Sequence, residues 1–166
     1  MSKSEQNLKD AFAGESQANR KYLAFAAAAD KEGFGQVARL FRAAAEAETI
    51  HAHNHLRALK GIKSTEENLK EAINGEMYEF KNMYPAMIVA AQNEGNKDAE
   101  RSFNYANEVE KIHAELYSKL SQDLSASKSN SFAYYVCPIC GNTVEKEAPG
   151  ICPICGTPGK MFKKIE

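Results

Sequence analysis

The sequence of 166 residues is long enough for one ordinary domain, or for one domain with a small appendage. Its 21 basic and 22 acidic residues nearly cancel, which argues against a surface dedicated to nucleic acid or to a membrane. The chain has no apolar run of about 18 residues, as a membrane-spanning helix needs, and its first seven residues do not resemble a secretory signal. We therefore expect a cytoplasmic protein.

Four stretches repeat apolar residues at intervals of three and four, which predicts four amphipathic helices. They cover residues 5–31, 36–60, 65–92 and 97–124. Gly33 and Gly35 are expected to interrupt the helical conformation between the first two helices, and Gly61 is expected to end the second helix.

The third helix carries two further local signals. Ser64 followed by Glu67 has the pattern of a capping box, in which each side chain accepts a hydrogen bond from the other residue's backbone. Pro85 lies inside the predicted helix and cannot donate a backbone hydrogen bond. We therefore expect a kink near Lys81.

The second and fourth helices each contain the motif Glu-x-x-His, as Glu48 with His51 and as Glu110 with His113. A spacing of three places both side chains on one helix face, so that one carboxylate and one imidazole can bind the same metal. The other two helices supply acids in phase with their apolar stripes, namely Glu15, Glu76 and Glu79. Such a set is typical of the di-iron carboxylate bundles.

A single glutamate on a helix is usually a solvated surface residue, but that explanation does not suit seven residues in phase with four apolar stripes. A buried carboxylate without a partner is costly and normally stays protonated, so the pattern favours bound cations. Carboxylates with some imidazole suit iron or manganese, whereas zinc usually takes fewer ligands. Glu48 and Glu110 are the natural bridging pair.

Three nearby residues have ordinary explanations as well. His53 is two residues from His51 and should point to solvent. His55 is one turn beyond His51 and either supports the site or, as we prefer, lies at its exposed end. Tyr22 shares a helix face with Glu15 and, taken alone, is best explained as a core tyrosine.

Beyond the helices we expect a linker at residues 125–133 and a separate segment at 134–166, which leaves the bundle in 1–124. The last segment is too small to fold without a metal. It contains Cys-Pro-Ile-Cys-Gly twice, with the thiols of Cys137, Cys140, Cys152 and Cys155. Four thiolates at this spacing bind one tetrahedral iron or zinc; zinc would be structural, and iron would carry single electrons.

The order of these motifs along the chain resembles the rubrerythrin family over essentially the whole sequence. The local strings at residues 14–16, 75–78 and 83–85 are similar to that family, and Glu79 separates the pattern from ordinary ferritins and bacterioferritins. The resemblance implies a mainly α fold, with a ferritin-like four-helix di-iron bundle and a small C-terminal rubredoxin-like β ribbon around an iron held by four cysteines. It also implies a peroxidase that reduces hydrogen peroxide to water and protects against oxidative stress.

The resemblance further implies a ligand set for two non-haem irons. The first iron would be held by Glu15, Glu48, Glu110 and either Glu79 or His51, and the second by Glu48, Glu76, Glu110 and His113. In the family the first iron exchanges its carboxylate for the histidine on reduction, which here means Glu79 for His51. Tyr22 and Tyr84 match tyrosines that lie beside the iron ligands in the family.

The connection between the second and third helices constrains the topology. Gly61 to Ser64 spans at most about 14 Å when extended, whereas a helix of about 25 residues is nearly 40 Å long. The connection therefore cannot run back along the bundle. One chain could form an up-down-up-down bundle, or two chains could exchange helical halves in a swapped homodimer, which we favour.

Electrons would arrive from a donor such as rubredoxin or an NAD(P)H-dependent reductase, as the resemblance implies. Two other functions compete with peroxide reduction. Iron storage or ferroxidase activity would leave the cysteine segment without a use. A zinc-ribbon interaction module would have no redox role, and zinc is possible at either metal site.

Overall fold

A computed structural model describes residues 2–129 and 131–166. The chain divides into two compact units, one ending at Lys63 and the other spanning Ser64–Glu166. The first unit contains α1 (Lys3–Lys31) and α2 (Gly35–Ala58). The second contains α3 (Thr65–Tyr78), a π-helical turn (Glu79–Met83), α4 (Tyr84–Glu94), α5 (Lys97–Gln122) and a small sheet. Within the described residues, no helix combines the length and apolarity that crossing a membrane requires.

The first unit is a helical hairpin whose interface is lined by alanine. The buried apolar residues of the two helices are Ala26, Ala29, Ala38, Ala45 and Ala52. Gly33 lies between the two helices, as expected, with a positive φ of 84°, whereas Gly35 is already the first residue of α2. The small side chains let the two helix backbones approach closely, which holds their remaining side chains in a fixed register.

One buried amide fixes that register. Asn19 on α1 donates from its side chain to the Ala45 carbonyl at 2.7 Å and to the Thr49 hydroxyl at 2.8 Å on α2. Asn19 is four residues after Glu15, and Thr49 directly follows Glu48. The hydrogen bonds therefore join the two helices within one turn of their acidic residues.

The prediction that Gly61 ends the second helix is wrong in its detail. α2 ends at Ala58, and Lys60 takes the left-handed position with φ 55°. The Lys60 N–H donates to Arg57 O and the Gly61 N–H to Leu56 O, which is the Schellman pattern. A Cβ at residue 61 would lie 2.4 Å from Leu56 Cδ1, so a larger residue there would require the Leu56 side chain to shift.

α3 begins with the predicted capping box, because the Ser64 side chain accepts from the Glu67 backbone and the Glu67 side chain accepts from Ser64. The interruption expected near Lys81 takes the form of a π-helical turn rather than a simple kink. In it the Tyr84 N–H donates to Glu79 O, five residues back. Pro85 follows directly at the start of α4, where its missing N–H does least harm.

The C-terminal sheet has three antiparallel strands in the order β2-β1-β3, formed by Tyr134–Val136 (β1), Thr143–Glu145 (β2) and Lys163–Ile165 (β3). Its buried core consists of Cys137, Cys152 and Phe162. The predicted linker contains a 3₁₀ turn at Ala126–Lys128, and its residue 130 lies outside the described residues. Two of these three residues are thiols, and the apolar side chains that pack against them, Tyr135, Val144, Ala148 and Ile154, are only partly buried.

We expect Gly159→Ala to prevent this segment from folding, with a cost of about 3 kcal/mol or more. A Cβ at residue 159 would lie 1.6 Å from the Pro149 carbonyl oxygen, and that backbone cannot move aside cheaply. The check is the zinc content of the four-cysteine segment after dialysis, together with thermal melting. Gly150→Ala is the matched control, since a Cβ there has nothing within 4 Å. Equal zinc binding by both variants would contradict the prediction.

Candidate metal centres

The first unit brings together three of the predicted ligands. Glu15 on α1 and Glu48 and His51 on α2 each offer a ligand atom, and these atoms lie within 4.8 Å of one another. His51 Nδ1 is 2.8 Å from Glu48 Oε2 and 3.8 Å from Glu15 Oε1. The hairpin therefore presents two carboxylates and one imidazole to a common point.

The second unit repeats this arrangement. Glu76 on α3 and Glu110 and His113 on α5 also converge within 4.8 Å. His113 Nδ1 is 2.8 Å from Glu110 Oε2 and 3.7 Å from Glu76 Oε1. Each unit thus holds one Glu-x-x-His helix beside one helix that supplies a lone glutamate, so the two groups are chemically alike.

Glu79 is the one predicted carboxylate outside these groups. It opens the π-helical turn, where an extra residue in the helical turn changes the direction of the side chains relative to a continuous α-helix. It is still close enough for the charge on Glu110 to act on it. The turn therefore places a carboxylate beside the second group without making it part of that group.

The acids of the second unit repel one another. Burial, followed by the charge of Glu110, raises the pKa of Glu76 from 4.5 to about 7. Burial and Glu110 also raise the pKa of Glu79, and the hydrogen bond to Glu110 raises the pKa of His113. Without a cation the cluster holds protons near neutral pH, and a dication could take their place. The donor chemistry therefore fits a metal.

The two tyrosines of interest lie in aromatic surroundings. The Tyr22 ring is 6.1 Å from Phe41 and 6.4 Å from Phe25. Tyr84 lies 6.3 Å from the Phe103 ring, and burial with the nearby Glu79 charge raises its pKa. Both are partly buried, as side chains near a site within a helical bundle are expected to be.

The two histidines outside the Glu-x-x-His motifs agree in part with the predictions made for them. His53 is exposed, as predicted, and His55 is half-buried. No hydrogen bond described for either residue joins it to the carboxylates of the first unit.

The four thiols form the third group, within 4.8 Å of one another. Cys137 Sγ lies 3.5 Å from Cys155 Sγ, and Cys140 Sγ lies 3.6 Å from Cys152 Sγ. Sulfur atoms around a tetrahedral iron or zinc, with bonds of about 2.3 Å, are separated by about 3.8 Å. The four cysteines are free and not disulfide-bonded, so the geometry fits one metal ion.

The two cysteine knuckles are built alike. Gly141 and Gly156 have positive φ angles of 85° and 77°, which glycine adopts without strain. Each N–H donates to the first cysteine carbonyl of its own knuckle at 3.0 Å. Burial opposes thiolate formation at Cys152, but the backbone N–H groups of Cys155 and Ile154 together with the Cys140 and Cys155 side chains outweigh it and lower its pKa.

Two residues around these centres were missed by the sequence analysis. Asn142 is buried and donates its side-chain amide to Cys152 Sγ at 3.7 Å. The Thr143 hydroxyl lies 2.9 Å from Nε2 of His113, on the side of the ring away from the carboxylates. Both directly follow Cys140-Gly141, and the only sequence signal was their polarity where a small domain needs apolar residues.

The raised pKa of Glu76 predicts how the metal-free protein responds to pH. Between pH 4.5 and about 7 the folded state keeps a proton on Glu76 that the unfolded chain loses, so stability falls as the pH rises through this window. Glu76→Gln carries no charge at any pH. We expect it to melt at a higher temperature than the parent near pH 8, with the difference shrinking towards about pH 5.

Circular dichroism melts of both metal-free proteins measure this difference. Glu108→Gln, which removes an exposed carboxylate from the same unit, is the control and should not change the pH profile. A Glu76→Gln melting temperature that stays equal to the parent's at both pH values would contradict the account.

Comparisons with known proteins agree with this geometry. The family model described as Rubrerythrin matches residues 6–121, and that described as Rubrerythrin, rubredoxin-like domain matches residues 135–163. Rubrerythrin-2 of Clostridium acetobutylicum is 38% identical over 155 residues, covering 84% of each chain. Nigerythrin of Nitratidesulfovibrio vulgaris is 41% identical over 150 residues, covering 82% of this chain and 73% of its own.

Solved structures give the same result. Nigerythrin in a mixed-valence state matches with a TM-score of 0.59 and 38% identity, covering 99% of this chain and 88% of its own. The fully reduced, all-ferrous nigerythrin matches equally well. With helical ligand groups and a four-thiol site in the order that the motifs predicted, the chain belongs to the rubrerythrin family.

Proposed function

We propose that this protein is a non-haem di-iron peroxidase that reduces hydrogen peroxide to water in defence against oxidative stress. The observation that carries the proposal is the presence on one chain of two carboxylate–histidine groups and a four-thiol group. The first two suit a pair of irons, and the third suits a single iron that carries electrons. When bound, the iron pair supplies the two electrons that cleave the O–O bond, and the thiol-bound iron returns them.

The ligand roles follow from the two groups. Glu48 and Glu110 would each be available to both irons, since each is paired with its own histidine one turn away. Glu15 would hold the first iron, and Glu76 and His113 would hold the second. These roles use all four carboxylates of the two groups. Glu79 and His51 remain as candidates for the last ligand position on the first iron.

Glu79 and His51 are proposed to alternate at the first iron. His51 already lies beside Glu48 and Glu15, where its Nδ1 can bind a metal. Glu79 lies outside the group formed by Glu76, Glu110 and His113. This arrangement suits the state in which the histidine is the ligand. The released Glu79, whose pKa is raised by burial and by Glu110, can then hold a proton for the water that leaves.

The two tyrosines are proposed to line the space in which peroxide reacts. Tyr84 adjoins the π-helical turn that carries Glu79, and its raised pKa keeps its hydroxyl protonated. Tyr22 belongs to the aromatic cluster of the first unit and restricts access of water. Both tyrosines are proposed to define the shape of the site and to exclude water from it.

The proposed domain boundaries remain residues 1–124 for the bundle, 125–133 for the linker and 134–166 for the four-cysteine domain. The ranges matched by the two family models lie inside the first and last of these. The electron donor is proposed to be a one-electron carrier such as rubredoxin, or an NAD(P)H-dependent reductase, which delivers electrons to the four-cysteine domain. Four metal-binding thiols suit a reducing compartment, which favours the cytoplasm.

We expect Glu79→Ala and His51→Ala each to lower peroxidase turnover by about tenfold or more, because each removes one of two alternating ligands. The assay is steady-state peroxide reduction by fully iron-loaded protein with a chemical electron donor. His53→Ala, an exposed histidine on the same helix, should retain parent activity. Parent turnover in both ligand variants would refute the exchange.

We also propose that two chains exchange helical halves in a homodimer. The buried apolar residues described in the helices are alanines and one valine, Val109. Larger apolar side chains on the first hairpin remain exposed, including Leu40 at 67%, Phe25 at 47% and Val37 at 46%. Val37 lies eleven residues before Glu48, which is about three helical turns, so part of the apolar surface on the helix face that carries the ligands is uncovered.

A second copy of the chain suits this surface. Each hairpin brings half of the proposed ligand set, and the bridging glutamates are on different hairpins. Only six residues, 59–64, connect α2 to α3. Since that connection is too short to run back along a helix, the familiar ferritin-like arrangement is reached by packing each hairpin on the other half of a partner chain.

Complementation between inactive chains tests the exchange. Glu48→Ala disables the first hairpin and Glu110→Ala the second, so neither homodimer should be active. In a swapped mixed dimer one site combines the two intact hairpins. Random pairing on co-expression should therefore restore about a quarter of the parent activity. A dimer without exchange, or a monomer, restores none, and that result would exclude the swap.

A further inference from the structure

Two residues of β2 face the helix α5. In an extended strand alternate side chains point to opposite sides. Val144 packs against the cysteine core, so Thr143 and Glu145 point the other way. Glu145 forms an ion pair with Lys119 of α5, and Thr143 contacts His113 of the same helix. The four-cysteine segment thus lies against the helix that carries a proposed iron ligand, within one compact unit.

The hydrogen bonds of Thr143 have a defined direction. Its hydroxyl donates its only hydrogen to the Gly141 carbonyl at 3.0 Å. Its oxygen can therefore only accept from His113 Nε2–H, at 2.9 Å. Nδ1 is the atom that faces Glu110 and Glu76, so a metal ion held by these carboxylates would take the place of the hydrogen on Nδ1. The Thr143 oxygen then accepts from the remaining Nε2–H and fixes the ring orientation in which Nδ1 can bind the metal.

The position of Thr143 is set by the thiol site. Gly141 follows Cys140, and the Cys137 N–H donates to the carbonyl of Asn142 at 2.9 Å. This loop closes around the four sulfur atoms, and two of the cysteines are among the three buried core residues. A metal at the thiols orders the loop, and the ordered loop places the threonine hydroxyl at the imidazole.

We propose that Thr143 is a positioning residue that couples metal binding at the four cysteines to metal binding at His113. The coupling makes the two sites cooperative: a filled thiol site strengthens binding at the carboxylate–histidine site, and the reverse holds by thermodynamic linkage. Loss of a hydrogen-bond partner of a metal-binding histidine typically weakens metal affinity by about 10- to 100-fold. We expect coupling of that size.

This inference rests on the proposed role of His113 as a metal ligand. The test uses the full-length chain under reducing conditions, with the thiol site either empty or filled with one equivalent of Zn²⁺. Mn²⁺ then reports on the helical site, because it prefers carboxylate and imidazole to thiolate. Free Mn²⁺ is measured by electron paramagnetic resonance in a titration of each protein.

Four proteins are compared: the parent, Thr143→Ser, Thr143→Val and His113→Ala. Zinc should strengthen Mn²⁺ binding by about tenfold or more in the parent and in Thr143→Ser, which keeps the hydroxyl. Thr143→Val, of nearly the same shape, should bind Mn²⁺ equally with and without zinc, at the level of the zinc-free parent. Zinc stoichiometry and helical content confirm that each variant is folded.

The failures are distinguishable. If the parent shows no zinc effect, or if Thr143→Val retains it, the coupling is overturned while the ligand set stands. If His113→Ala binds Mn²⁺ as tightly as the parent, the ligand assignment itself fails, and with it the inference.

Discussion

Like charges brought close together on partly buried helix faces are the constraint on which the structure depends. In each helical unit two carboxylates and an imidazole lie within 4.8 Å of one another, and in the second unit burial and mutual repulsion together hold a proton on Glu76 near neutral pH. A bound dication removes that repulsion and uses the same lone pairs. In the first hairpin an alanine interface and the Asn19 hydrogen bonds keep the acids converged.

The elements that follow local rules could be predicted from the sequence. Helix periodicity located the helices, and the capping box at Ser64 was found because both of its hydrogen bonds join residues three apart. The Glu-x-x-His pairs converge because helix geometry alone places residues three apart on one face. The end of α2 was less accessible. The expectation that glycine ends a helix pointed to Gly61, whereas α2 ends at Ala58 and Lys60 takes the left-handed position.

Contacts between distant residues could not be predicted in the same way. The hydrogen bond between Thr143 and His113 joins residues 30 positions apart, and a strand of three residues is too short to show an alternating pattern. The apolar stripe of α2 is a further case. Its periodicity indicates an apolar face that needs to be covered but does not say by what, and Val37 and Leu40 are exposed. The apolar pattern of a sequence shows that a helix face needs to be buried. It does not show whether the same chain or a partner chain buries that face.

That distinction bears on how metal binding and assembly are related. In the proposed dimer Glu48 and Glu110 at each site come from different chains, so every bridging ion joins two polypeptides. The free energy of binding the ions then contributes to association as well as to folding, and loss of metal weakens both. The alanine-rich hairpin suits such a design, since its small side chains hold two helices together while its larger ones remain for the partner. A chain that covered all of its apolar surface with its own side chains would keep the two halves of the ligand set in place without a partner chain and without bound ions.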